Sequence, residues 1–338
     1  MLLDRWHRPL GHLRISVTDR CNLRCAYCMP EPDYVWLPKT TLLTFEELTR
    51  VTAIFTRLGV RHVRLTGGEP LLRAQVTDLT SRLAGLGVLD DLAMTTNGVL
   101  LASQARLLRD AGLRRITVSL DTLHRDRFAA LTRRDHLAEV LAGIAAAREA
   151  FGTLKLDTVL MRGVNDDELE ALVTFAGRQD AEIRFIEYMD VPGATHWDAS
   201  KVVSRQEIVR RLSHAFGDVE ALPAEGPAPA SRYRLPSGQI VGVIASTTTP
   251  FCSTCDRIRL TADGHLFSCL YATRGLDIRA PLRAGASDEA LADLIAATWQ
   301  QRADRGAEAR LAAPDRSAFI AVEDLRRAPQ LEMHTRGG

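Results

Sequence analysis

The chain has 338 residues, 46% of them hydrophobic, with 43 basic against 42 acidic side chains and a net charge of +1. That is enough apolar material for roughly two domains, or for one barrel with an extension. The even charge balance excludes the broad basic field that a nucleic-acid or membrane-surface binder carries. The start, "MLLDRWHRPL", has no apolar signal core, and no apolar run approaches the roughly 20 residues that span a bilayer. The expected setting is therefore the cytoplasm, with no nucleic-acid and no membrane partner. There thiols stay reduced, so clustered cysteines point to metal binding or catalysis and not to disulfides.

Taken in chain order, the first 190 residues alternate β-rich runs with helix-like segments. The β-rich runs are "LRISVTD" (13–19), "HVRLTGGE" (62–69), "LAMTTNG" (92–98), "RITVSLD" (115–121), "LKLDTVL" (154–160) and "EIRFIEY" (182–188). Their apolar, β-branched character predicts parallel strands covered on both faces. Between the first two, Thr44 and Glu47 form a capping-box pattern ahead of a helix that Gly59 ends. "LLASQARLLRDAG" and "NDDELEALVTFAGRQ" read as helices too. The expected fold is α/β: a partial (β/α)6 TIM-like barrel over 1–200, with a smaller α+β C-terminal domain over 201–338 covering its open side. In that second part "VVSRQEIVRRLSHAF" reads as a helix, and "PAEGPAPAS" (223–231) as a solvated loop. In "RIRLTADGHLFSC", Asp263-Gly264 signals a hairpin. The tail "LEMHTRGG" shows no element of its own and is expected to be mobile.

The chemistry sits in six cysteines that fall into two sets of three. Cys21, Cys25 and Cys28, in "CNLRCAYCMP", are spaced C-x3-C-x2-C in the loop after the first strand, where β/α folds place their sites. A four-iron cluster offers four ligand positions, so three cysteines leave one iron open to a ligand, whereas a structural zinc site closes itself with four. Cys252, Cys255 and Cys269 are spaced C-x2-C-x13-C around the expected hairpin. A Cys3His zinc site using His265 is the rival there, and a zinc-stapled binding module without enzyme activity is the corresponding alternative for the chain. Arg257 and Arg259, two apart on one strand face, fit an anionic substrate better than a structural zinc. Arg64 and Lys155 lie in otherwise apolar strands, where an unpaired cation is costly. A bound anion would compensate them, as would ion pairs with Glu69, Asp121 or Glu187.

The first triad, with Tyr27 ahead of its last cysteine, resembles the radical S-adenosylmethionine (SAM) superfamily, and "LTGGEP" (65–70) resembles the stretch that meets the SAM amino group there. "VRLTGGEPLLR", "TTNG", "VSLDTL", "VLMRGVND", "RFIEYM", "CDRIRLTADGHLFSCL" and a terminal Gly-Gly narrow the resemblance to the GTP-cyclising family of molybdenum cofactor biosynthesis. It runs from about residue 4 to the last residue. The resemblance implies two [4Fe-4S] clusters, held by Cys21, Cys25 and Cys28 and by Cys252, Cys255 and Cys269. It implies SAM lined by Tyr27, Gly68, Ser119 and Met189. It implies GTP held by Arg14, Arg64, Thr95, Lys155, Arg257, Ile258 and Arg259, and catalytic roles for Arg257, Arg259, Gly337 and Gly338. The implied reaction converts GTP to (8S)-3′,8-cyclo-7,8-dihydroguanosine 5′-triphosphate. The implied partners are a flavodoxin- or ferredoxin-type electron donor and a downstream cyclic pyranopterin monophosphate synthase, with a second copy of the chain as a candidate. Another superfamily member acting on a peptide is the alternative, weakened by there being only three C-terminal cysteines. The tail departs from the family in having Arg336 where an aliphatic residue is usual, so Arg336 is expected to meet substrate phosphate.

Overall fold

The computed structural model describes residues 2–337. Six strands, β1 (His12–Ser16), β2 (His62–Thr66), β3 (Asp91–Thr96), β4 (Arg115–Ser119), β5 (Leu154–Leu160) and β6 (Ala181–Glu187), lie parallel and in sequence order. Helices at Phe45–Arg57, Val76–Ala84, Ala105–Asp110, Leu137–Phe151 and Leu169–Arg178 cover the outside. Residues alternate strictly between buried and half-buried along β5 and β6. On β5 and β6 only the outer face is therefore packed, against the expectation of strands covered on both faces, whereas on β3 and β4 the inward Ala93 and Thr117 are buried as well. The inner face carries Arg14, Arg64, Lys155 and Arg184 and opens on a lumen.

The C-terminal part adds β7 (Glu220–Ala221), β8 (Ser231–Arg234), β9 (Ile240–Ile244), β10 (Arg257–Leu260), β11 (His265–Phe267) and β12 (Leu276–Asp277). These strands extend the same sheet at both ends. β9 runs parallel beside β6 and β10 parallel beside β1, each backed by antiparallel neighbours, to give one 12-stranded sheet. The open side is thus narrowed by strand addition at both edges of the barrel. Asp263-Gly264 makes the expected hairpin between β10 and β11, with Thr261 N–H donating to the His265 carbonyl at 2.9 Å.

Other elements differ from the sequence reading. The segment before Ala105 is a series of turns, so that helix covers only Ala105–Asp110. The Pro/Ala-rich loop is not merely solvated, because Glu225 and residues 227–230 line the lumen and Glu225 pairs with Arg232. The tail is a helical turn, Met333–Arg336, in which His334, Thr335 and Arg336 are buried. Among the described residues no helix is long and apolar enough to cross a membrane.

The helix Phe45–Arg57 starts as its sequence predicts. Thr44 Oγ1 accepts from Glu47 N–H at 3.2 Å, and Glu47 Oε2 accepts from Thr44 N–H at 2.8 Å. Thr44→Ala is expected to lower global stability by about 1 kcal/mol in urea denaturation, with iron content unchanged.

Candidate functional site

One cavity of about 460 Å³ fills the lumen and reaches both cysteine triads. Tyr27, Gly68, Ser119, Met189, Arg14, Arg64, Thr95, Lys155, Arg257 and Arg259 all line it. Ile258 does not, because alternation turns its side chain into the core, where it is fully buried. Gly338 lies outside the described residues.

The first triad sits in the loop that leaves β1. Cys28 and Met29 N–H both donate to the Cys25 carbonyl, at 3.0 and 2.7 Å, a tight turn that gathers Cys25 and Cys28. Arg24 and Ala26 N–H tie the loop to the carbonyls of Thr132 and Leu131. Asn97 reaches Cys21 Sγ at 3.8 Å and Asn22 at 2.7 Å. Gly67 and Gly68 press on the start of this loop: a Cβ on Gly68 would lie 2.3 Å from the Arg20 carbonyl oxygen. The close approach these glycines permit is therefore to the loop backbone itself. Gly68→Ala is expected to displace the loop and leave about four irons per chain in place of about eight, measured after anaerobic reconstitution.

Burial pushes the Cys25 thiol well up, and Asp121, Cys21 and Cys28 push it further. Burial likewise holds Cys21 up at about 11. Thiols so placed ionise only against a metal centre's positive charge. Among the described residues no three His, Cys, Asp or Glu side chains converge as a single bound ion would require. In a four-iron cluster each cysteine takes a different iron, so such convergence is not needed. A three-thiol donor set lining a cavity fits that group.

Tyr27 hydroxyl donates to Asp121 Oδ2 at 2.8 Å. Its side chain therefore braces the loop against the end of β4, which makes it less replaceable than a residue lending only backbone.

The second triad spans the mouth of the β10–β11 hairpin. The pairing of Arg259 with Phe267 carries Cys269 back alongside Cys255. Backbone N–H groups of Ala307 and Glu308 point at Cys252, and those of Tyr271 and Gly306 at Cys269. Burial would raise Cys255, but Arg257 and Arg302 outweigh it and bring the thiol down to about 6. Burial pushes Cys252 up and holds Cys269 up at about 11, so these two, like the first triad, would ionise against a bound metal centre. His265 is spent elsewhere, with Nδ1 3.0 Å from Asp263 Oδ2.

Between the triads lies a guanidinium cluster set by sheet register, since Arg14 pairs with Arg64 on one side and Arg259 on the other. Arg14 is pushed well down by burial and then by Arg259, Arg64, Arg257 and Arg184. Burial, reinforced by Arg184, brings Arg64 to about 10, and burial with Arg257 does the same to Arg259. Arg64 donates to the Thr95 and Thr117 hydroxyls at 3.1 and 3.2 Å. Arg259 and Arg14 donate to the Gly337 carbonyl at 2.7 and 3.4 Å. Among the described residues none of Arg14, Arg64, Arg257 and Arg259 meets a carboxylate, so the cluster is suited to receive an anion. Lys155 does have a partner, at 3.0 Å from both Glu182 oxygens, and not one of the three carboxylates named from sequence.

Two expectations change here. Arg336 does not face the guanidinium cluster: its own guanidinium donates to the Leu270 carbonyl at 2.7 Å and lies 4.1 Å over the Phe267 ring. It pins the tail, so that Gly337 reaches Arg14 and Arg259. Arg184, paired with Asp157 at 2.6 Å, also lines the cavity and was missed. The signal was there, since it is a cation in an apolar strand just as Arg64 is. Arg302 gave no such signal, because nothing local marks it.

A thiol triad in the first β/α loop, opening on the lumen of a partial parallel barrel, defines a radical SAM enzyme. The Radical SAM superfamily model matches residues 15–176, and the Molybdenum Cofactor Synthesis C model matches 181–308. The fold resembles that of Streptococcus suis SuiB bound to S-adenosylmethionine, with a TM-score of 0.61 at 13% identity, over 98% of this chain and 71% of that one. Curated relatives are much nearer in sequence. GTP 3′,8-cyclase 3 of Mycobacterium bovis is 52% identical, over 99% of this chain and 90% of the relative. GTP 3′,8-cyclase 1 of Mycobacterium tuberculosis is 51% identical, over 99% and 95%. GTP 3′,8-cyclase of Acidothermus cellulolyticus is 50% identical, over 95% and 91%. The chain belongs to the GTP 3′,8-cyclase family.

Proposed function

We propose that the chain converts GTP to (8S)-3′,8-cyclo-7,8-dihydroguanosine 5′-triphosphate in molybdenum cofactor biosynthesis, using SAM and two [4Fe-4S] clusters. The observation that carries this reading is a group of four guanidiniums without carboxylate partners among the described residues, set between two thiol triads in one cavity.

Cys21, Cys25 and Cys28 would hold one cluster, and Cys252, Cys255 and Cys269 the other. Bound there, the first cluster would supply the electron for reductive cleavage of SAM, and the second would offer a coordination position to the substrate. Tyr27, Gly68, Ser119 and Met189, all on the cavity wall, would contact SAM. Arg14, Arg64, Arg257 and Arg259 would neutralise the triphosphate, with Thr95, Lys155 and the Ile258 backbone at its edge. Their fixed positions orient ribose C3′ toward the SAM end. The buried tail and the narrowed open side would limit access of water and stray hydrogen donors. Overall, the C3′–H bond breaks, a C3′–C8 bond forms, and one electron and one proton complete the reduced ring, so the product is isomeric with GTP. Gly337 touches two receptor arginines, which is consistent with a catalytic role for the Gly337-Gly338 end.

The same reading places the protein in the cytoplasm. It gives the protein a flavodoxin- or ferredoxin-type donor and hands its product to a cyclic pyranopterin monophosphate synthase, with a second copy as a candidate partner. It divides the chain into a 1–200 barrel and a 201–338 unit. Equilibrium binding tests the receptor. GTP is expected to bind far more tightly than guanosine, with the difference shrinking as salt rises. Equal affinities would remove the triphosphate from the account.

A further inference from the structure

Behind the second triad, on the side away from the cavity, lies a buried charge network that the proposed reaction does not use. Arg302 is 1% exposed and Asp4 is fully buried. Arg302 Nη1 donates to the Cys255 carbonyl at 2.8 Å, and Nη2 reaches Cys255 Sγ at 3.4 Å. Its guanidinium stacks 4.5 Å from the Trp299 ring centre, and Nη1 lies 3.7 Å from Asp4 Oδ2. Asp4 Oδ2 also accepts from Arg8 Nε at 2.6 Å, and Arg8 in turn donates to the Cys252 carbonyl at 2.8 Å. Asp4 thus sits between two guanidiniums, each holding the backbone of a different triad cysteine, and Arg302 Nε also donates to Asp304 Oδ1 at 3.3 Å.

Arg257 also reaches Cys255 Sγ, at 3.4 Å, but it lines the cavity and stacks on Phe251. Arg302 does not line the cavity, so it is placed to act on the cysteine and not on a substrate. Hydrogen bonds and charge at ligating sulfurs set the potential of an iron–sulfur cluster. A cation donating to a thiolate favours the more negative, reduced state of the group that thiolate binds.

We propose that Arg302, held by Asp304 and Asp4, is a positioning residue for the second cluster, and that its N–H···S contact and buried charge raise that cluster's reduction potential while leaving Arg257 to the substrate. The inference rests on the two-cluster reading above.

The test is an EPR-monitored dithionite titration of the reconstituted full-length protein, with the first cluster as internal reference. Arg302→Gln removes the charge and keeps donors, so the second cluster should become harder to reduce, with the first cluster and GTP affinity unmoved. Asp4→Asn removes a buried negative charge from the same network, so the second cluster should become easier to reduce. Opposite shifts support the proposal. No shift, or two shifts of the same sign, would overturn it while leaving the two-cluster reading intact. Should Arg302→Gln fail to retain the second cluster, Asp4→Asn decides alone: an upward shift supports the inference and anything else sinks it. A wild-type protein with only about four irons removes both the inference and the reading beneath it.

Discussion

Cys25→Ala is expected to abolish 5′-deoxyadenosine formation while leaving GTP binding in place. Cys25 is at the centre of the first triad, its carbonyl accepting from both Cys28 and Met29 N–H, and its thiol feels both Cys21 and Cys28. Losing it leaves two sulfurs for a cluster that needs three from this chain. The guanidinium receptor belongs to β1, β2 and β10 and does not depend on that loop. The two measurements should therefore part completely. Persistent 5′-deoxyadenosine would show that SAM is cleaved elsewhere.

Arg259→Ala should move one observable and largely spare another. GTP affinity should fall by about 1.5–3 kcal/mol, the scale of one charge-assisted hydrogen bond, or roughly 10- to 150-fold. The ligand-free fold should change little, because relief of the buried charge and of repulsion by Arg257 is set against the lost attraction to Cys255 and Cys269 and the lost bonds to the Arg336 and Gly337 carbonyls. A structural arginine would show the reverse, with stability lost and affinity kept. Titration calorimetry and thermal unfolding on one preparation separate the two. Part of the affinity change travels through the tail, since Arg259 also holds Gly337. Gly337 is itself tightly constrained, with φ of +66° and a Cβ position 1.9 Å from Thr66 Oγ1.

The parts of this architecture legible in the sequence are those that local pattern specifies. Apolar strands spaced by capped helices gave the barrel. Thr44 and Glu47 gave a helix start, Asp263-Gly264 gave a hairpin, and cysteine spacing gave both triads. What was not legible depends on pairings between distant segments. Nothing in "QIVGVIAS" or "RIRL" says that one joins β6 and the other β1, because register across some 50 to 250 residues is decided by packing and not by propensity. The tail misled for a related reason. A polar segment ending in two glycines reads as solvated, yet the Leu270 carbonyl and the Phe267 ring give Arg336 a buried seat. The glycines of "LTGGEP" were marked for closeness to a ligand, and their immediate neighbour is the backbone of 18–20. Arg302 is one arginine among many in the sequence. Only folding brings it to Cys255.

The most direct test of the central claim follows one hydrogen atom. Anaerobically reconstituted protein is incubated with SAM, dithionite and GTP carrying deuterium at C3′, and both products are examined by mass spectrometry. The account predicts deuterium in 5′-deoxyadenosine, together with a second product isomeric with GTP. Deuterium-free 5′-deoxyadenosine with GTP recovered unchanged would contradict it.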